Sequence, residues 1–135
     1  MRQVATIGLI FLPLVGFGQL QLTDEQIINS GMIKLVFVDN ARQADSLARM
    51  DISRGIPFLL LQSGISPVVY STDSKFEEKY RVFYDESGCT GPKLEFAKTY
   101  NKVTFEYLTK NYGRKWTKEI RKDVIGFREW RRTGG

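Results

Sequence analysis

GPKLEFAKTYNKVTFEYLTKNYG, residues 91–113, is the stretch whose periodicity decides the fold. Within it Phe96, Tyr100, Val103 and Tyr107 recur at spacings of four, three and four, with Ala97, Thr104 and Leu108 beside them. That is the period of an amphipathic α-helix with one broad face turned to a core. Pro92 suits the first helical position, where its missing N–H is no loss, and Gly113 suits the left-handed residue just past a helix end. A long helix with so wide an apolar face needs a layer to cover, and the residues upstream supply one.

Pro57 to Leu61 is a continuous apolar run after Gly55, the mark of a strand buried on both faces. Arg81 to Tyr84 reads as another strand, stopped by Asp85-Glu86-Ser87-Gly88. Ile33 to Val38 is apolar and β-branched enough for a third, ending at Asp39-Asn40, and Val68-Val69-Tyr70 suits a short fourth. Helices fall between them. Thr23-Asp24-Glu25-Gln26 has capping-box spacing for a helix ending by Gly31, and Ser74-Lys75-Phe76-Glu77 has the same spacing for one through Tyr80. Ala41 to Met50 puts Ala44, Leu47 and Ala48 on one face. Downstream, Trp116, Ile120, Val124 and Phe127 predict a second amphipathic helix ending near Gly126, bent against the first or continuous with it through a kink. The expected class is α/β or α+β: a small three- to four-stranded sheet covered by helices, with two C-terminal helices packed as a bent pair.

The start of the chain has the grammar of an export signal. Arg2 precedes a twelve-residue uncharged run from Val4 to Val15, which closes on Gly16-Phe17-Gly18, a small-x-small pattern suited to cleavage. The run is shorter than the ~20 residues of a membrane-crossing helix. Residues 1–18 therefore read as a signal peptide and 19–135 as one globular domain of a periplasmic or secreted protein, an uncleaved anchor being the alternative.

Composition excludes much chemistry. The chain has no histidine and one cysteine among 135 residues, so a Ser-His-Asp triad, a Cys-His pair, an internal disulfide and a His- or Cys-ligated zinc site are all ruled out. Charge is uneven. Residues 19–90 carry seven basic and ten acidic side chains, residues 91–135 twelve basic and five acidic. Lys115, Lys118, Arg121 and Lys122, with Arg114, Arg128, Arg131 and Arg132 around them, form the densest basic cluster. On the expected helix Lys118, Arg121 and Lys122 turn away from the Trp116–Val124 stripe, a face suited to phosphate, a lipid headgroup, an acidic polysaccharide or an acidic protein. A plain solvated face has the same pattern.

Asp123 is the anomaly of that helix. At 100° per residue it falls within about 20° of the line from Trp116 to Trp130, inside the apolar stripe. A carboxylate there needs a partner, so Asp123 is expected in a structural ion pair or cap. Asp39, Asp85 and Glu86, each after an expected strand, are the remaining acid/base or divalent-metal set, with helix capping and strand termination as their plainer role. Cys89, ahead of the long helix, reads as an inert thiol, an intermolecular disulfide being the other option.

Phe76-Glu77-Glu78-Lys79-Tyr80, Gly88-Cys89, Tyr100-Asn101-Lys102 and Tyr107-Leu108 continue into Tyr112-Gly113-Arg114-Lys115-Trp116 and Arg121-Lys122-Asp123-Val124-Ile125-Gly126. Over roughly residues 56–126 this series resembles an uncharacterised group of small exported bacterial proteins. The resemblance implies export and a single domain and brings no activity with it. The function expected is thus a small exported non-enzymatic binding or structural protein of the cell envelope, presenting its basic C-terminal face to an anionic partner or surface. No cofactor is expected, nucleic acid is disfavoured by export, and peripheral membrane contact stays open. Two alternatives remain: a carboxylate-based, metal-assisted hydrolase or transferase using the strand-end acids, and an envelope-assembly subunit meeting its partner through Trp116 and Trp130.

Overall fold

The computed structural model describes residues 20–62, 64, 66–87 and 90–135. The expected signal peptide and Cys89 lie outside these residues. The elements in order are α1 (Asp24–Ile28), α2 (Gly31–Lys34) running into a 3-10 turn (Leu35–Phe37), α3 (Ala41–Ser53), β1 (Phe58–Leu60) and α4 (Asp73–Tyr80). Then come β2 (Phe83–Asp85), α5 (Leu94–Tyr112), α6 (Trp116–Glu119) and α7 (Phe127–Arg132). The class is mixed α+β, mostly helical, around one two-stranded parallel sheet with Phe58 opposite Phe83 and Leu60 opposite Asp85.

α5 runs across the middle, as its periodicity demands. One side of it, with Phe96, Ala97, Tyr100 and Val103, packs on α2, α3 and β1 through Met32, Leu35, Ala44, Ala48 and Phe58. The other, with Phe105 and Leu108, packs on an aromatic core of Tyr80, Trp116, Phe127 and Trp130. Trp116 stacks on Phe105 at 5.7 Å and Trp130 lies 5.3 Å from both, so the two tryptophans fill the core of this chain. Pro92 lies ahead of the cap residue Lys93, not inside the helix, while Gly113 closes it with φ +72°.

Ile33 to Phe37 is helical and only Val38 is extended, which corrects the third expected strand, Ile33 to Val38. The reason lies 20 residues away. Asp51 on α3 is fully buried and accepts the amide N–H groups of Gly31 at 2.6 Å and Met32 at 2.9 Å, holding the start of α2. Ser30 adds its own cap to Ile33. A Cβ at Gly31 would sit 2.5 Å from the Leu47 carbonyl oxygen, so glycine is what lets α2 approach α3 so closely. Tyr70 and its neighbours Val68 and Val69 are exposed and outside any strand, so the sheet among the described residues has two strands, not three or four.

The C-terminal pair is also corrected. α6 is one turn long, because Ile120 is extended at ψ 146° and breaks the periodic stripe. Residues 123–125 instead run along β1: Leu61 bridges Val124 antiparallel, Gln62 N–H donates to Asp123 O at 2.9 Å and Ile125 N–H to Leu60 O at 2.9 Å. Asn101, buried on α5, ties both: its Oδ1 accepts from Leu60 N–H and its Nδ2 donates to the carbonyls of Leu60 and Ile125. A buried amide with three partners fixes position at little net cost.

Candidate anion-binding groove

The break after α6 turns Arg121 inward. Its side chain is only 7% exposed, which corrects its assignment to a solvent-facing basic face. Nε and Nη2 donate to the two Asp123 oxygens at 2.9 and 2.6 Å, and Nη1 donates to Asp73 Oδ2 at 2.9 Å and to the Val68 carbonyl at 2.8 Å. The guanidinium plane rests 4.7 Å from the Tyr70 ring and 5.6 Å from that of Tyr84. Such a forked, planar cation is the one side chain able to bind two carboxylates, a carbonyl and two rings at once. The hydrogen bonds it donates to Asp123 raise its pKa further, against the opposing effect of burial.

Asp123 therefore lies in an ion pair, although the phase argument that singled it out assumed a helix that ends four residues earlier. Its carboxylate is 38% exposed, while the deeply buried acid of the trio is Asp73, at 8%. Asp73 Oδ2 also accepts the Tyr70 N–H, and its Oδ1 is buried with no donor among the described residues. Because Asp73 is the first residue of α4, the expected Ser74 capping box is absent: Ser74 sits within the helix and Thr72 caps it without a side-chain bond.

Arg121 and Asp123 line a groove with Tyr70, Lys98, Lys122, Arg128 and Arg132. α5 supplies Lys98, the residues after α6 supply Lys122, and α7 supplies the two arginines. They converge because Gly126, at φ +80°, starts α7 hard against the Lys98 stem, where a Cβ would lie 3.3 Å from Lys98 Cγ. Lys98 pairs with Glu129 at 2.9 Å. Lys122, Arg128 and Arg132 have no ion pair among the described residues, and Lys122 sits 5.5 Å over the Phe127 ring. The groove lining thus carries five cations against three carboxylates, Glu119, Asp123 and Glu129, and is net positive.

Of the four cations expected to bind, Arg121 and Lys122 reach this groove. Lys115 and Lys118 are exposed but lie outside it. Lys98 was not singled out by the sequence, since nothing local signals that α5 passes beneath the start of α7.

The strand-end acids do not gather. Asp39 follows the 3-10 turn and is exposed, Asp85 accepts the Ser87 hydroxyl at 3.0 Å and Glu86 accepts the Gly64 N–H at 3.2 Å. Among the described residues no three Asp, Glu, His or Cys side chains form a metal-ligand set. Burial raises the Asp85 pKa, and it pushes Glu77 up to about 7 with help from the nearby Asp73 charge. Glu77, Tyr84 and Asp85 share a small cleft with Leu22, Met32 and Phe83.

No protein-family model, curated protein or solved structure matches this chain.

Proposed function

We propose that this is a small exported, non-enzymatic binding protein of the cell envelope that holds an anionic partner in the groove between α5 and α7. The observation behind this reading is the contrast in charge within one groove. Arg121 is held by two carboxylates, Asp73 and Asp123, and braces the wall, whereas Lys122, Arg128 and Arg132 line the same groove with no ion pair among the described residues. Cations left unpaired on a rigid, concave surface attract anions at little reorganisation cost. Asp73 and Asp123 serve as ion-pair partners and Asp85 and Glu86 as local hydrogen-bond acceptors, and no three acids form a metal-ligand set among the described residues, so binding explains the arrangement better than acid/base chemistry does. Export and kinship with the small exported bacterial group are part of the same reading.

The test is retention of the secreted protein on an immobilised sulfated polysaccharide across a salt gradient. The parent chain should bind at low salt and elute as salt rises, because screening shortens the reach of exposed charges to about 8–10 Å near physiological ionic strength. Reversing Lys122, Arg128 and Arg132 to Glu should abolish retention while the fold stays intact. Equal elution of parent and triple variant would overturn the groove as the binding surface.

A further inference from the structure

We propose that the face formed by Ile33, Val36 and Phe37 docks on an anionic lipid bilayer, with Lys34 and Arg42 on the headgroups. This surface is separate from the α5–α7 groove and goes beyond its reading. Spacings of three and four bring the three apolar side chains to one side of α2 and its 3-10 extension. They are 40%, 46% and 80% exposed, with Phe37 among the most exposed large apolar residues described.

These residues are exposed for a structural reason. Asp51 fixes the N-terminal amides of α2 and Leu35 and Met32 are buried in the core, at 1% and 6% exposure, so the opposite face of the same short element must point outward. Beside it Phe37, Val38 and Leu47 form an apolar groove whose rim carries Lys34 and Arg42 and no carboxylate among the described residues. Neither cation makes an ion pair among those residues. The one acid of the 33–43 segment is Asp39, two residues beyond Phe37.

An aromatic and two β-branched side chains framed by unpaired cations match a bilayer boundary. Apolar groups enter the acyl region there while basic groups meet anionic headgroups. A soluble acidic partner would complement Lys34 and Arg42 and leave Phe37 in water. On the export reading proposed above, which this point alone rests on, the uncharged run from Val4 to Val15 ends five residues before Leu20 and keeps the domain close to a membrane during export.

The experiment uses the full chain carrying Phe37→Trp, mixed with vesicles of phosphatidylglycerol and phosphatidylcholine whose acyl chains are brominated. Trp116 and Trp130 are buried, at 0% and 8% exposure, and give a constant background. Val69→Trp, at a site 84% exposed and not part of the groove that Lys34 and Arg42 line, is the comparison, since the apolar N-terminal run alone would bring either variant to the vesicle. Emission from position 37 should shift to the blue and be quenched by the brominated chains, while position 69 stays unchanged. Adding Lys34→Glu and Arg42→Glu should weaken the effect by at least about tenfold, as should vesicles of phosphatidylcholine alone. Equal response at positions 37 and 69, no response at 37, or indifference to the double reversal would overturn the proposal. A blue shift that grows with protein concentration in the absence of lipid, with a dimer in sedimentation, would assign the face to a second copy of this chain and overturn it too.

Discussion

Asp51 in the N-terminal core and Asp73 in the C-terminal one are both buried, yet they are satisfied by opposite means. Asp51 accepts from three neutral donors, the Gly31 and Met32 amides and the Tyr100 hydroxyl at 2.6 Å. Asp73 instead takes part in a charged network with Arg121. The first arrangement ties α2, α3 and α5 together with no counter-charge in the hydrogen-bond set, so burial raises the Asp51 pKa despite its donors. The Tyr100 hydroxyl is pushed well up, by burial and then by the Asp51 charge, and so remains a donor at any working pH. The second arrangement ties α4 to the segment after α6, beside Lys122, Arg128 and Arg132, which make no ion pair among the described residues. Neutral donors build the scaffold, and ions shape the site.

Breaking the neutral set should have the largest effect. Asp51→Ala leaves three buried donors without an acceptor, each costing about 1–3 kcal/mol, so roughly 3–9 kcal/mol of stability is lost in denaturant unfolding. α2 should be the first element to lose hydrogen-exchange protection. The raised pKa also fixes a sign: the native state holds a proton more tightly than the unfolded chain. Stability from Asp51 therefore declines as pH rises from the ordinary carboxylate range through the raised value.

Breaking the charged set comes next. Arg121→Met keeps much of the side-chain volume but strands Asp73, for which about 3–4 kcal/mol is expected. Adding Asp73→Asn should recover part of that loss, because the stranded charge is gone. Asp123→Ala should cost nearer 1 kcal/mol, since its carboxylate is partly in water. If Asp123→Ala proved as damaging as Arg121→Met, the burial order within the trio would be wrong.

Glu77 separates the two kinds of site by pH. Its folded pKa is raised from 4.5 to about 7, by burial first and Asp73 second. Between those values the folded protein binds more protons than the unfolded chain, so stability falls as pH rises across that window. Glu77→Gln should flatten the slope and be more stable than the parent at pH 8 by about 1–2 kcal/mol, less than the full shift implies because the side chain is only half-buried. Thermal melts of parent and variant from pH 4 to 8 read this directly.

These contrasts also explain what could be read in the sequence. α5 and β1 were legible because their apolar patterns coincide with their own burial, and the Thr23–Gln26 capping box closes as its spacing predicts. Ile33 to Phe37 was not, since its helical form depends on an acid 20 residues away gripping Gly31. The stripe from Trp116 to Phe127 misled for a related reason. Its apolar residues are buried, Trp116, Ile120, Val124 and Phe127 all lying in the core, but an extended turn carries them there. The criterion applied to Asp123, an acid within an apolar stripe, holds better for Asp51, which follows Ala44 and Ala48 at helical spacing. The Arg121 partners come from three stretches of the chain, 68–73, Tyr84 and Asp123, and have no local signature.

The smallest expected effect tests the boundary of the groove. Lys118 and Lys122 are both exposed and four residues apart, and on one continuous helix they would share a face. The break at Ile120 separates them: Lys122 lines the groove above Phe127, whereas Lys118 lies outside it. Lys118→Glu should change stability by no more than about 0.5 kcal/mol, as exposed single charges do. Lys122→Glu should cost slightly more, up to about 1 kcal/mol, because it also loses its contact with the Phe127 ring. Their effects on ligand retention should diverge far more. Lys122→Glu should move elution from the sulfated matrix to clearly lower salt, and Lys118→Glu should shift it only as a general change in net charge does. Equal shifts from the two reversals would mean that the matrix senses net charge alone, and that the groove's shape contributes nothing to recognition.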